Sequence, residues 1–148
     1  MNILLVEDGE YKSERVVEFI QERFKNSTVD LCRSYSSAIK NMIKNDYDLT
    51  ILDMSLPTFD NNGQSGGEFR AYGGLDIARQ IKRRKINVNF LFLTQYKSFT
   101  DNPALGGLED IDKIAKEEYK DKYLGCIFYE HAGFEWKDEL GEVIKRYE

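Results

Sequence analysis

The sequence contains few of the residues that mark disulfide-rich or zinc-binding proteins. Its 148 residues include only two cysteines, Cys32 and Cys126, and one histidine, His131. The cysteines fit no metal-binding spacing and no disulfide framework, so we expect free, buried thiols in a reducing compartment. We interpret the single histidine as a loop residue without a special role.

Targeting segments and long apolar runs are also missing. The chain opens with MNILLVED, which has none of the charged, apolar and cleavage regions of a signal peptide. No apolar run is long enough to span a bilayer. The net charge is −5, and acidic and basic residues are mixed along the chain, which disfavours a broad basic face for nucleic acid. We therefore expect a cytoplasmic protein that binds neither membranes nor nucleic acid.

Five short apolar runs alternate with helical patterns along the chain. The length suits a single domain, residues 1–148, with its own core. The runs predicted as strands are Asn2–Val6, Thr28–Cys32, Leu49–Leu52, Val88–Leu93 and Leu124–Phe128. The first helical stripe is Val16, Val17, Ile20 and Phe24. This alternation predicts an α/β fold with a doubly wound parallel sheet and helices on both faces.

One segment interrupts the alternation of strands and helices. Residues Thr58–Gly74 read TFDNNGQSGGEFRAYGG, which is polar, rich in glycine and asparagine, and without a clear period. We predict a long loop here. Because it follows the third strand, the loop is expected to lie at the rim of any site at the carboxyl end of that strand.

Acidic residues follow two of the predicted strands. Glu7 and Asp8 come after the first strand, and Asp53 comes after the third, while the fourth strand is followed by Thr94. The carboxyl ends of parallel strands share one edge of a sheet, so the three carboxylates meet if their strands are neighbours. Such a cluster needs a cation, and Mg²⁺ is the natural ion for oxygen ligands. Asp53 would then be a nucleophile toward a phosphoryl group, whose oxygens the Thr94 hydroxyl would contact.

The segments ILLVED (3–8), LTILDMSLP (49–57) and FLFLT (90–94) together resemble the receiver domain of two-component response regulators. The resemblance extends over nearly the whole chain in order and spacing. It implies a flavodoxin-like sheet of five parallel strands in the order 2-1-3-4-5. It also implies that Asp53 is the phosphoacceptor, that Glu7 and Asp8 help Asp53 to bind Mg²⁺, and that Thr94 is the switch hydroxyl.

The same resemblance implies partners for the chain. A histidine kinase or a phosphotransfer protein would donate the phosphoryl group to Asp53. A downstream protein would receive the signal, because we expect a receiver that stands alone. The domain would act as a signalling module and not as a turnover enzyme.

The sequence departs from the family after the fifth strand. The family carries a lysine there, followed by a proline, and the matching positions here are Tyr129 and Glu130. No lysine lies between Tyr123 and Trp136. Three lysines from elsewhere are candidates to supply the missing ammonium: Lys97, Lys122 and Lys137.

The second departure is the long segment Thr58–Gly74, which is much shorter in the family. The insertion is expected to cover the acidic pocket, to contact a partner, or to supply a cation through Arg70. These departures leave a second hypothesis open, in which the chain is a degenerate receiver that binds a protein without phosphorylation.

Two enzyme or cofactor classes on similar folds fit less well. Haloacid-dehalogenase-like phosphatases place a second aspartate two residues after the nucleophile, where this chain has Ser55. Flavodoxin relatives need a phosphate-binding loop after the first strand, where this chain has an acidic segment, residues 7–10. The acidic charge there would repel a phosphate.

Overall fold

The computed structural model describes residues 1–60, 69–95 and 107–148 of the chain. The strands of these parts are β1 (Asn2–Val6), β2 (Thr28–Cys32), β3 (Leu49–Leu52), β4 (Leu56–Pro57), β5 (Phe69–Arg70), β6 (Asn89–Thr94) and β7 (Tyr123–Phe128). Five of them form one parallel sheet in the order β2-β1-β3-β6-β7. This is the predicted order 2-1-3-4-5 of the five long strands, so the predicted fold is confirmed.

Helices cover both faces of this sheet. They are α1 (Glu10–Arg23), α2 (Tyr35–Lys44), α3 (Gly73–Arg83), α4 (Leu108–Tyr119) and α5 (Glu135–Tyr147). One apolar cluster joins α1 and α5 to one face of the sheet, and a second joins α2, α3 and α4 to the other. No helix in the described parts of the chain has both the length and the apolar character needed to cross a bilayer.

Strand β3 shows why the apolar runs predicted as strands are continuous and do not alternate between apolar and polar residues. All of its residues are buried, because helices cover both of its sides. It lies between β1 and β6, with Leu52 opposite Val6 on one side and Phe92 on the other. The chain that leaves β3 therefore emerges between the ends of its two neighbours, which is where the predicted site residues lie.

The predicted loop over Thr58–Gly74 is wrong at its carboxyl end. Strand β5 pairs there antiparallel with β4, and α3 already begins at Gly73. Residues 61–68 of the predicted loop lie outside the described residues. Two strands of two residues each are too short to show any period in the sequence, so only the pairing in space reveals them.

Both cysteines are free, as predicted. Cys32 is buried at the end of β2, whereas Cys126 in β7 is only half-buried. The expectation of two fully buried thiols is therefore confirmed for Cys32 alone.

Gly74 lets the start of α3 lie against the backbone that follows β3. A Cβ atom at Gly74 would lie 2.6 Å from the carbonyl oxygen of Asp53 and 3.2 Å from the ring of Phe92. We expect Gly74→Ala to lower the free energy of unfolding by about 1–3 kcal/mol, the usual cost of overpacking. Urea denaturation measures this change. Gly141→Ala in α5 is the control, because its methyl group would meet the flexible end of Arg23. Equal stability of the two variants would contradict the prediction.

Candidate functional site

The carboxyl edge of the main sheet carries an acidic cavity of about 300 Å³. Its lining includes Glu7, Asp8, Lys12, Asp53 and Gln95. The carboxylate oxygens that Glu7, Asp8 and Asp53 offer all lie within 4.8 Å of one another. The structure thus brings together the three residues that were predicted as metal ligands, in a donor set that suits a hard divalent ion.

Backbone hydrogen bonds hold two of these carboxylates in place. The Asp53 amide donates to the carbonyl of Val6 at 3.1 Å, which joins the ends of β3 and β1. The Oδ1 atom of Asp53 accepts a hydrogen bond from the amide of Met54 at 2.8 Å. The Oε2 atom of Glu7 accepts one from the amide of Gly9 at 2.9 Å. The acidic side chains are therefore fixed by the turns that follow their strands.

Lys12, which the sequence analysis did not consider, lies among these carboxylates. Its Nζ atom lies 2.6 Å from Oε1 of Glu7 and 3.3 Å from Oδ1 of Asp53. The same atom donates a hydrogen bond to the carbonyl of Leu93 at 2.6 Å. Only 4% of the Lys12 side chain is exposed. A buried lysine of this kind is tolerated because charged and polar partners surround it.

A sequence signal for this lysine existed. Lys12 stands four residues before Val16 and eight before Ile20, both of which are fully buried on α1. A lysine in line with the apolar stripe of a helix faces the interior, where it needs an acidic partner. The acidic pair immediately before the helix provides that partner.

A comparison with known families decides the relationship of the chain. The family model described as the response regulator receiver domain matches residues 3–124. The chain belongs to this family.

Two relatives of this receiver align over almost their whole length. An uncharacterized protein, y4jR, from Sinorhizobium fredii (strain NBRC 101917 / NGR234) is 24% identical over 142 residues, which cover 95% of this chain and 94% of the relative. The Detocs response regulatory protein DtcB from Vibrio alginolyticus is 24% identical over 147 residues, which cover 97% of this chain and 99% of that protein.

Solved structures of receivers share the fold. The response regulator TrrA from Thermotoga maritima in complex with Mg²⁺-BeF superposes with a TM-score of 0.60, at 22% identity, over 99% of this chain and 98% of TrrA. TrrA in complex with the histidine kinase ThkA gives a TM-score of 0.56, at 23% identity, over 99% of this chain and 97% of that chain. At this level of identity the likeness shows the fold alone.

Tyr129, which the sequence analysis matched to the family's lysine, directly follows β7. Its side chain is buried, and its amide donates to the carbonyl of Thr94 at 2.8 Å. The Nζ atom of Lys12 lies 5.3 Å from the centre of the Tyr129 ring. The hydroxyl of Tyr129 lies 2.9 Å from Nδ1 of His131, which is itself part of the cavity lining. The aromatic ring thus packs beside the ammonium of Lys12, which reaches the pocket from α1.

The lysines that were proposed as substitutes lie elsewhere or outside the described residues. Lys122 donates to the side-chain oxygen of Asn87 at 2.5 Å. The ammonium of Lys137 lies over the ring of Trp136, 5.7 Å from its centre. Lys97 is outside the described residues. The two described candidates therefore do not supply the ammonium.

Arg70 belongs to the inserted segment and was proposed to supply a cation to the pocket, but it contacts other residues instead. It forms an ion pair with Asp76 at 3.2 Å. Its guanidinium group lies 4.1 Å from the centre of the Tyr35 ring. Arg70 fixes the start of α3 against α2 and does not complete the acidic cluster.

Thr94 lies at the same edge of the sheet as Asp53. It ends β6, which pairs with β3, and it is completely buried opposite Phe128 of β7. The structure thus places Thr94 at the end of the strand next to β3, while its role as a switch hydroxyl stays a prediction.

The electrostatics of the pocket disfavour full ionisation of the acids. Burial raises the pKa of Glu7 to about 7; the charge of Asp53 adds to this rise, while Lys12 opposes it. Burial also raises the pKa of Asp8, again with a contribution from Asp53. A single ammonium therefore does not fully compensate these carboxylates.

The raised pKa of Glu7 makes stability depend on pH. A carboxyl group whose pKa is raised in the folded state stabilises the fold while it is protonated. The contribution of Glu7 to the free energy of unfolding is therefore complete below about pH 4.5 and is lost as the pH rises through 7. We expect the uncharged variant Glu7→Gln to raise the free energy of unfolding by about 1–3 kcal/mol at pH 8 and much less at pH 5. Lys12 keeps Asp53 as its partner in this variant.

Urea denaturation at the two pH values, with a chelator present, measures the effect of Glu7→Gln. The exposed Glu18 of α1 provides the control variant Glu18→Gln. A gain of the same size at both pH values would contradict the prediction, because it would not follow the titration of Glu7.

Proposed function

We propose that this receiver is a switch in which Asp53 accepts a phosphoryl group. The observation that carries the proposal is the cluster of three carboxylates within 4.8 Å, with Asp53 at the end of the central strand β3. The amide of Met54 and the ammonium of Lys12 both contact Oδ1 of Asp53. The second oxygen, Oδ2, takes no part in these contacts and is the better placed nucleophile.

Glu7, Asp8 and Asp53 would hold Mg²⁺ in this pocket. Carboxylate oxygens are the ligands that this ion prefers, and the raised pKa values of Glu7 and Asp8 indicate that the cluster gains from added positive charge. When bound, the ion offsets negative charge on the phosphoryl oxygens. The solved complex of TrrA with Mg²⁺-BeF supports this assignment.

The donor would be a phosphohistidine on a histidine kinase or on a phosphotransfer protein. An oxygen of Asp53 attacks the phosphorus, the phosphorus–nitrogen bond breaks, and the imidazole leaves with the electron pair of that bond. The solved complex of TrrA with a histidine kinase supports this choice of partner. Tyr11 and Phe69 line the cavity and are each 58% exposed, so they offer an aromatic contact for an incoming donor.

The signal would leave through the edge of the sheet that carries Thr94. The added charge on Asp53 favours a state in which the Thr94 hydroxyl contacts the phosphoryl group, and this shifts an existing equilibrium of the neighbouring surface. A downstream protein would recognise the shifted surface. The chain would thus be a cytoplasmic signalling module and not a turnover enzyme.

One contact favours a second candidate function, a degenerate receiver that binds its partner without phosphorylation. The ammonium of Lys12 lies 2.6 Å from Glu7 and occupies an oxygen that a metal ion would need. In this case Lys12 replaces the metal. The exposed Phe69 of the inserted segment would then belong to a permanent binding surface.

Phosphorylation by a small donor distinguishes the two functions. We expect the protein, incubated with Mg²⁺ and phosphoramidate, to gain one phosphoryl group by intact mass, and hydroxylamine to remove it because acyl phosphates react with that nucleophile. Asp53→Asn should gain none. Asp60→Asn, which changes an exposed aspartate, should behave as the wild type. An unmodified wild type would favour the degenerate receiver.

A further inference from the structure

We propose that Lys12 is the cation that binds the phosphoryl group on Asp53. In the family this role is implied for the lysine after the last strand, a position that Tyr129 occupies here. The inference rests on the proposed phosphorylation of Asp53. It assigns to the first turn of α1 a function that the family places at the opposite end of the chain.

The first argument is proximity. The Nζ atom of Lys12 already lies 3.3 Å from Oδ1 of Asp53. A phosphoryl group bonded to that carboxylate brings its oxygens next to the ammonium, so adjustment of the lysine side chain is enough to reach them. Among the lysine and arginine residues that the structure describes, Lys12 is the one that contacts Asp53.

The second argument is preorganisation. An ammonium has three donors, and the Nζ atom of Lys12 has three acceptors around it: Glu7, Asp53 and the carbonyl of Leu93. The side chain is almost completely buried, so its position is set by these partners and little by water. A cation held in place in this way stabilises a developing negative charge after only a small adjustment of its side chain.

The third argument is the complementary change at Tyr129. The buried ring of Tyr129, the residue that the sequence analysis matched to the family lysine, packs beside the ammonium of Lys12. A second ammonium at this position would repel the first. A tyrosine at this position therefore leaves room for the single ammonium of Lys12.

The same ammonium links the phosphoacceptor to β6. It donates to the carbonyl of Leu93, which belongs to the peptide group whose amide is that of Thr94. A phosphoryl group that attracts the ammonium weakens this hydrogen bond. We therefore expect the amide resonance of Thr94 to shift when the ammonium moves, while a direct contact of the ligand with Lys12 is what separates this role from one in packing alone.

The first test uses the wild-type chain and needs no variant. Beryllofluoride, which mimics a phosphoryl group, is bound in the presence of Mg²⁺, and contacts between fluorine and protein protons are measured by NMR. We expect a nuclear Overhauser effect between fluorine and the side-chain protons of Lys12, together with a shift of the Thr94 amide. Beryllofluoride bound without any contact to Lys12 would overturn the inference.

The second test measures the affinity for beryllofluoride in variants. Lys12→Met is expected to bind it about tenfold or more weakly, as befits the loss of a charged hydrogen bond. Adding Tyr129→Lys to this variant returns the lysine to the family position and is expected to restore much of the affinity. Lys116→Met is the matched control, because Lys116 is a helical lysine paired with Asp112 at 2.9 Å, away from the cavity.

The outcomes separate this inference from the proposed function. A wild type that responds to beryllofluoride and a folded Lys12→Met that responds equally well leave Asp53 as the phosphoacceptor and overturn the role of Lys12. A wild type that responds to neither Mg²⁺ nor beryllofluoride overturns both. If Lys12→Met does not fold, the contact between fluorine and Lys12 in the wild type decides whether Lys12 binds the phosphoryl group.

Discussion

The acidic pocket depends on the burial of one ammonium between two carboxylates. Glu7 and Asp53 leave adjacent strands at the same level, and both are almost completely removed from water. Two such charges side by side would favour protonation or a different arrangement of the turns. The ammonium of Lys12 contacts both and reduces that repulsion. Removing the ammonium would leave both carboxylates buried without a partner of opposite charge, so the cluster depends on Lys12.

The ammonium of Lys12 contacts three groups that are far apart in the sequence. Through one atom, Lys12 connects a predicted metal ligand on β1, the predicted phosphoacceptor on β3 and the carbonyl of Leu93 on β6. A change in charge at any of these groups alters the balance of forces on the other two. In this receiver the described ammonium that contacts Asp53 therefore comes from a helix and not from the chain after β7.

The local sequence was sufficient to predict the sheet because the main strands are buried on both faces. The run Leu49–Leu52 is continuous and apolar for that reason, and its bounds were predicted correctly. Once the strand order is known, the meeting of Glu7 and Asp53 follows from the shared edge of parallel strands. The pairing of β4 with β5 was not predicted, since two residues on each side give no periodic signal.

The sequence by itself determined the fold and the acidic cluster, because buried strands have a local apolar pattern and the ends of neighbouring parallel strands share one edge. It also showed that no lysine lies between Tyr123 and Trp136. Only the tertiary structure decided which cation contacts Asp53. The contact between Lys12 and Leu93 joins residues 81 positions apart, and no local pattern specifies such a pair. Packing of α1 against the sheet brings the ammonium into the pocket beside the ring of Tyr129.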